Sequence, residues 1–158
     1  MDLARTLLLK VVVGIALCLL VGMIGGLFTS AGVKTWYPTL IKPWFTPPSV
    51  LFGPVWTVLY VLMGVAVALV WHKSTGMNAA LIIFGVQLVL NVLWSLFFFQ
   101  LRAPALALLD IVLLAAVLIV TTILFWRIAV AAGALLLPYL LWVGFATVLN
   151  ASLVWLNR

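Results

Sequence analysis

Five long apolar stretches constrain what this chain can fold into. A helix needs about 20 apolar residues to cross the hydrocarbon core of a bilayer. The chain is 68% hydrophobic and 6% charged, against about 45–50% and about 25% in soluble domains. The sequence therefore predicts an all-α integral membrane protein, a single five-helix transmembrane bundle over residues 1–158. Its spans lie at approximately 6–28, 49–71, 78–99, 104–126 and 131–155.

The breaks between the last four spans are short, whereas residues 29–48 form a long connection between the first two. Short breaks favour antiparallel packing of helices that follow one another in sequence. Pro48 and Pro104 suit the first turn of a helix, where the missing N–H costs no hydrogen bond. We expect an up-and-down bundle with one structured loop at 29–48.

The segment from Trp36 to Tyr60 contains five prolines and seven aromatic residues. Proline fixes φ and removes a backbone donor, so this segment cannot form one helix across a bilayer. Long ordered loops of this kind are lids or recognition elements more often than spacers. We interpret Trp36–Pro48 as a lid over one end of the bundle.

The formal charge of +6 comes from basic residues scattered at the ends of the spans. This placement is typical of side chains that reach lipid headgroups, and it does not form a nucleic-acid-binding patch. The two ends of the bundle carry equal numbers, so the positive-inside rule assigns no orientation. The N-terminal end has Arg5, Lys10, Lys73 and Arg127, and the loop end has Lys34, Lys42, Arg102 and Arg158.

The sequence contains no glutamate, one histidine and one cysteine. A metal site needs three or four such ligands, so we expect no metal site and no cofactor. Asp2 is terminal, so there is no buried carboxylate to spare for a Ser-His-Asp set. Ordinary hydrolases, ATP-driven pumps and carboxylate-relay proton pumps are poor fits to this chain.

Asp110 is the only acidic residue within a span, about two turns after Pro104. An ionisable group inside a membrane is a functional candidate by default. Two interpretations remain open. Asp110 either ties the bundle to the loop or to Arg102, or it takes part in pocket or proton chemistry.

Three aromatic stripes lie at similar depths, about 12–15 Å from the loop end at 1.5 Å per residue. Ordinary helix packing explains any one stripe, but a polar asparagine at this depth needs a partner or a ligand. Aromatic cavities with a few polar groups commonly hold flat hydrophobic molecules. The stripes are Trp56 with Tyr60; Asn91, Trp94, Ser95 and Phe98; and Trp142, Phe145, Ala146 and Leu149.

Gly22 and Gly26 have the small-x-x-x-small spacing that lets helices approach closely. This spacing predicts either close packing within the chain or a seam between two copies.

These motifs resemble the translocator protein family, also called the tryptophan-rich sensory protein or peripheral-type benzodiazepine receptor family, in a bacterial-type form. The resemblance covers nearly the whole chain and rests on several ordered motifs. They are W-Y-x-x-L-x-K-P-W-F-x-P-P at 36–48, V-W-x-x-L-Y at 55–60, N-V-L-W-S at 91–95, Asp110, and P-Y-x-x-W-x-x-F-A-T-V-L-N at 138–150.

The resemblance implies a five-helix bundle, often a homodimer, with a pocket beneath the first loop for porphyrins, cholesterol or synthetic benzodiazepine-type compounds. In bacterial relatives a light-dependent porphyrin breakdown has been proposed, and this would make Trp56 and Trp142 catalytic. Ala151 stands where sterol-binding relatives carry a tyrosine, so the sterol pattern is missing. The implied pocket residues are Tyr37, Pro47, Trp56, Tyr60, Asn91, Trp94, Ser95, Phe98, Trp142 and Ala146, to which the third stripe adds Phe145.

Three functions follow as hypotheses, in this order. The first is a multi-pass membrane receptor, in a bacterial membrane, that binds a porphyrin or another flat hydrophobic molecule below the lid, with Lys34 and Lys42 attracting its propionates. The second is an enzyme that degrades the porphyrin in light. The third is a porphyrin or sterol transporter. The expected partners are the ligand, membrane lipid and a possible second copy of the chain, and no nucleic acid.

Overall fold

The computed structural model describes residues 3–158, with side chains from Ala4 onward, and Asp2 lies outside this range. Its five helices are each long and apolar enough to cross a membrane, the third together with a π-helical turn at Leu96–Gln100. The predicted all-α, five-helix membrane bundle is therefore confirmed. The helices are α1 (Leu3–Val33), α2 (Phe52–Lys73), α3 (Ala79–Ser95), α4 (Pro104–Ile128) and α5 (Val130–Leu156).

The five helices form a closed ring in the order α1, α2, α5, α4, α3. Helices that follow one another in sequence are ring neighbours with one exception: α2 and α3 have few contacts and meet mainly across the centre. The expectation that short breaks make neighbours does not hold for this pair. The reason is that α1 and α5 occupy both flanks of α2, and a short connection brings only two helix ends together.

Two glycines set the crossing of α1 and α2. A Cβ atom on Gly64 would lie 2.6 Å from the backbone nitrogen of Ile15, and Gly14 faces Gly64 from the other helix. Further along, Gly22 lies against the ring of Tyr60. Small residues permit this close approach between membrane helices. Gly22 thus packs within the chain, as one of the two interpretations of its spacing predicts.

The helix ends follow local hydrogen bonds. Helix α1 continues past the predicted end at 28, where the Thr29 hydroxyl donates to the Gly25 carbonyl at 3.0 Å. The Asn78 side chain caps α3 by accepting from the Leu81 N–H at 3.1 Å. Pro104 is the first residue of α4, as predicted. Pro48 instead precedes a short 3-10 helix at Ser49–Leu51, so α2 starts later than predicted.

The lid, Trp36–Pro48, is ordered by its own contacts. It contains a 3-10 helix at Tyr37–Thr39. The Lys42 ammonium donates to the carbonyls of Pro38 at 3.3 Å and Leu40 at 3.1 Å, and it lies 4.9 Å above the centre of the Tyr37 ring. The lid also packs against α5, because the ring centres of Phe45 and Phe145 are 6.3 Å apart.

Candidate functional site

A cavity of about 540 Å³ lies below the lid, between α1, α2 and α3. Small and apolar residues of α1 form one wall, and aromatic residues of α2 and α3 form the facing walls. The residues that line it are Leu19, Gly22, Met23, Gly25, Gly26, Thr29, Ser30, Val33, Tyr37, Phe52, Gly53, Trp56, Thr57, Tyr60, Asn91, Trp94, Ser95 and Phe99.

The cavity exists because α1 and α2 diverge above their glycine crossing. The two helices are in tight contact as far as Gly22, but no atom lies within 4 Å of a Cβ built on Gly26 or Gly53. Met23 and Thr57, which also line the cavity, are exposed on the flank of the bundle. In a membrane this flank faces hydrocarbon, so the cavity opens sideways toward lipid.

The floor of the cavity is a hydrogen-bond chain that joins three helices. The Tyr60 hydroxyl donates to Asn91 Oδ1, and Asn91 Nδ2 donates to the Tyr139 hydroxyl at 2.9 Å. The Tyr139 hydroxyl in turn donates to Gln87 Oε1 at 3.0 Å. Asn91 therefore has the partner that its depth requires, and that partner is protein. These hydrogen bonds also fix the positions of α2, α3 and α5 relative to one another.

Three residues that line the cavity have hydrogen-bond donors without a partner among the described residues. Across residues 3–158, neither the indole N–H of Trp56 nor the hydroxyl of Ser95 has a hydrogen-bond partner, and both residues line the cavity. The Tyr37 hydroxyl, at the lid side, is buried and likewise without a partner in this range. Burial raises the pKa of the Tyr37 phenol above its ordinary value, so this group is a neutral donor at physiological pH.

The aromatic rings of the wall are held in place by neighbours. Trp56 is tilted by 30° over Tyr60 with ring centres 5.6 Å apart, and it meets Tyr139 edge-on at 6.0 Å. Trp94 stacks on Phe98 at 5.1 Å. The indole N–H of Trp94 donates to Asn150 Oδ1 at 3.0 Å. The two tryptophans therefore present fixed ring surfaces.

A second, much smaller cavity of about 30 Å³ lies on the other side of Tyr37 and Phe52, next to α5. It shares Tyr37, Phe52, Trp94 and Phe99 with the larger cavity, so these four side chains form the partition between the two spaces. Its remaining lining residues are Phe98, Phe145, Ala146, Leu149, Asn150 and Leu153.

The structure divides the predicted pocket residues into three groups. Trp142 and Pro47 line neither cavity, and Trp142 packs against Phe52 and Phe145 with ring centres 6.0 and 5.6 Å apart. The α5 stripe thus faces the partition and the lid. The larger cavity has Tyr37, Trp56, Tyr60, Asn91, Trp94 and Ser95, and the smaller one has Phe98, Phe145 and Ala146.

The predicted charged residues lie outside both cavities. Lys34 is exposed just after α1, and Lys42 is bound to the lid's own carbonyls. Asp110 is 7% exposed, and its Oδ2 has no hydrogen-bond partner among the described residues. Within that part of the chain neither Arg102 nor the lid pairs with it. Among the described residues Asp110 is therefore hydrogen-bonded neither to the lid nor to Arg102, and it lines neither cavity.

Sequence reasoning missed the α1 wall. Its members follow the spacing i, i+3, i+4, i+7 and i+8, which places them on one helix face. A stripe of small residues on an apolar helix marks either close packing or a wall with room beside it. Here Gly22 packs against the Tyr60 ring, whereas Gly26 has open space beside it and faces the cavity. The stripe consists of Gly22, Gly25, Gly26, Thr29 and Ser30.

Comparison with known proteins gives a consistent result. Residues 14–156 match the TspO/MBR family. The chain is 44% identical over 147 residues to the tryptophan-rich protein TspO of Chlorobaculum tepidum, covering 90% of this chain and 92% of that protein. It is 41% identical over 151 residues to the protein of the same name from Archaeoglobus fulgidus, covering 95% and 98%. It is 35% identical over 131 residues to human translocator protein, covering 80% and 78%.

Proposed function

Because the chain belongs to the TspO/MBR family, we propose that this multi-pass membrane protein is a receptor that holds a porphyrin or a similar flat hydrophobic molecule in the larger cavity. The observation that carries the proposal is the cavity itself, an apolar space of about 540 Å³ beneath an ordered lid. Sites for small organic ligands span about 300–1,000 Å³ and combine apolar walls with a few placed polar groups. The proposed location is a bacterial membrane, in keeping with the relative from Chlorobaculum tepidum.

The shape of the walls favours a flat ligand. The small residues of α1 let a planar molecule approach the backbone closely, while the rings of Trp56 and Trp94 also line the cavity. Offset stacking on such rings contributes beyond the burial of area. The free donors of Trp56 and Ser95 are placed to meet acceptor atoms at the edge of the ligand. A long flexible chain would use neither feature.

The sideways opening suits a ligand that partitions into lipid. An apolar molecule dissolved in the bilayer can reach the gap between α1 and α2 without crossing water. A porphyrin would keep its carboxylates at the headgroup level, near Lys34 and the end of α1. This arrangement uses membrane partition to raise the local ligand concentration.

The test is a titration of purified protein with protoporphyrin, followed by tryptophan quenching in the dark. We expect saturable binding at micromolar concentration. Trp56→Phe removes a free donor and part of a ring face, so it should weaken binding about 5- to 10-fold, as for one lost hydrogen bond. Trp142→Phe, whose ring lines neither cavity, should bind like the wild type. The absence of saturable binding would refute the proposal.

The same titration under light tests the enzymatic alternative. A photochemical reaction that needs both Trp56 and Trp142 requires both rings close to one ligand, whereas only Trp56 lines the larger cavity. Loss of porphyrin absorbance in both variants at the wild-type rate would argue against it. Movement of porphyrin across sealed vesicles would instead support the transporter alternative.

A further inference from the structure

Asn157, the residue that follows α5, is hydrogen-bonded to the lid. The Ile41 N–H donates to Asn157 Oδ1 at 2.9 Å, and Asn157 Nδ2 donates to the Ile41 carbonyl, also at 2.9 Å. Asn157 Nδ2 further donates to the Leu153 carbonyl at 2.9 Å, which fixes the amide on its own helix. The side chain thus satisfies both backbone groups of one lid residue. We call this pair of hydrogen bonds the clasp.

The clasp connects to the cavity through a rigid part of the lid. Between Ile41 and Tyr37 the chain forms the 3-10 helix, and the Lys42 ammonium holds the Pro38 and Leu40 carbonyls together. Tyr37 is 5% exposed and belongs to the partition of the two cavities. A displacement of Ile41 away from α5 therefore pulls on Tyr37.

The lid residues at the clasp alternate between packed and exposed side chains. Leu40 and Phe45 pack against the buried apolar cluster below the lid, whereas Ile41 is 62% exposed and Trp44 is 94% exposed, so the clasp is the main attachment of Ile41 itself. Hydrogen bonds exposed to water contribute modestly to stability, because water replaces them when they break. Elements held in this way open locally far more often than the bundle unfolds.

We propose that the clasp between Asn157 and Ile41 sets how often the lid opens to water, and thereby how fast a ligand exchanges with the larger cavity from the aqueous side. The exchange of a ligand rests on the proposed function, whereas the opening of the lid does not. Since neither Ile41 nor Asn157 lines a cavity, the clasp makes no contact with a ligand held there, and its loss should speed association and dissociation together. The dissociation constant should change little. Asn157 is thus a positioning residue that acts through Tyr37.

Two readouts test lid opening without any ligand. The first is hydrogen exchange in nanodiscs of the Thr39 amide, which donates to the Trp36 carbonyl within the lid and not to Asn157, so that faster exchange in the Asn157→Ala variant reports opening of the lid. The second uses Ser95→Cys in a Cys18→Ser background, treated with a charged thiol reagent that cannot cross lipid. Removing one or two ordinary hydrogen bonds changes an opening equilibrium by about 5- to 30-fold, and both rates should rise by this factor.

Matched variants separate the clasp from general damage to the end of α5. Arg158→Ala removes the cation–π contact with Trp155 (4.3 Å) but leaves the clasp intact, so both rates should stay unchanged. Asn157→Asp keeps the acceptor for the Ile41 N–H and loses the donor, so an intermediate increase is expected. Equal exchange and labelling rates in Asn157→Ala and wild type would overturn the proposal.

Stopped-flow quenching with protoporphyrin then tests the consequence for exchange. In Asn157→Ala we expect association and dissociation rates to rise in parallel, with the dissociation constant within about twofold of wild type. Faster lid opening with unchanged porphyrin rates would overturn the link to exchange and assign ligand passage to the gap between α1 and α2. If porphyrin fails to bind any variant, the proposed function is refuted, while the two ligand-free readouts still decide the role of the clasp.

Discussion

The hydrogen-bond chain at the cavity floor makes a prediction that a double-mutant cycle can measure. Asn91→Leu leaves the buried Tyr60 hydroxyl without its acceptor, whereas the Tyr139 hydroxyl keeps Gln87. A buried donor left unsatisfied costs about 1–3 kcal/mol. Tyr60→Phe leaves Asn91 Oδ1 without a donor and should cost about 1 kcal/mol. In the double variant both partners are gone, so its cost should be close to that of Asn91→Leu alone.

The coupling free energy is the measured quantity. Side-chain hydrogen bonds between membrane helices show coupling of about 0.6 kcal/mol on average and about 1.7 kcal/mol at most. For Tyr60 and Asn91 we expect about 1 kcal/mol, read from reversible unfolding in mixed micelles by circular dichroism. Asn150 belongs to a separate set of bonds with Trp94 and the Pro104 carbonyl, so Tyr60→Phe and Asn150→Leu should be additive. Additivity of Tyr60→Phe with Asn91→Leu would refute the described network.

Three further predictions concern packing, burial and pH. Gly64→Val places carbon atoms inside the backbone of α1 and should destabilise the bundle by about 3 kcal/mol or more, whereas Gly85→Val, with open space around it, should have little effect in the same unfolding assay. Asp110→Asn should leave porphyrin affinity unchanged and stability equal or higher, since Asp110 lines neither cavity and its Oδ2 has no partner among the described residues; a loss of affinity would restore a pocket role. Burial raises the pKa of the Tyr37 phenol from its ordinary value of 10.0, so the unfolded state loses this proton first as pH rises. Stability should therefore fall above about pH 10 in wild type relative to Tyr37→Phe, as unfolding titrations at several pH values would show.

The sequence was sufficient to predict the bundle because apolar length is a local property. Five stretches of about 20 apolar residues have few alternatives to five membrane helices. The ring order was not predictable in the same way. It depends on α5 packing against α2 in the place expected for α3, a contact between helices that are distant in sequence.

The candidate site was predictable on two of its walls. Helical periodicity gives the face on which Asn91, Trp94 and Ser95 lie, and it pairs Trp56 with Tyr60. It does not say which neighbouring helix that face meets. The α5 stripe with Trp142 was expected at the same cavity, but Phe52 stands at the partition and contacts it. Hydrogen bonds between residues that are distant in sequence could not be predicted either.

The clasp of Asn157 illustrates the same limit. An asparagine at the end of an apolar helix is common as a cap, and its spacing carries no hint of a partner in the first loop. Only the fold brings Asn157 to Ile41. Contacts between segments that are distant in sequence are set by tertiary structure, and no local pattern of residue types predicts them.

The most direct test of the account compares two glycine substitutions by their protoporphyrin affinity. Gly26 lines the larger cavity with open space beside it, and Gly144 has equally open space but is exposed on α5, away from both cavities. Gly26→Leu should fill the mouth of the cavity and weaken binding at least about tenfold, a cost of about 1.4 kcal/mol. Gly144→Leu should bind like the wild type, with similar stability for both variants. Equal, wild-type affinity in both would show that the porphyrin does not occupy this cavity.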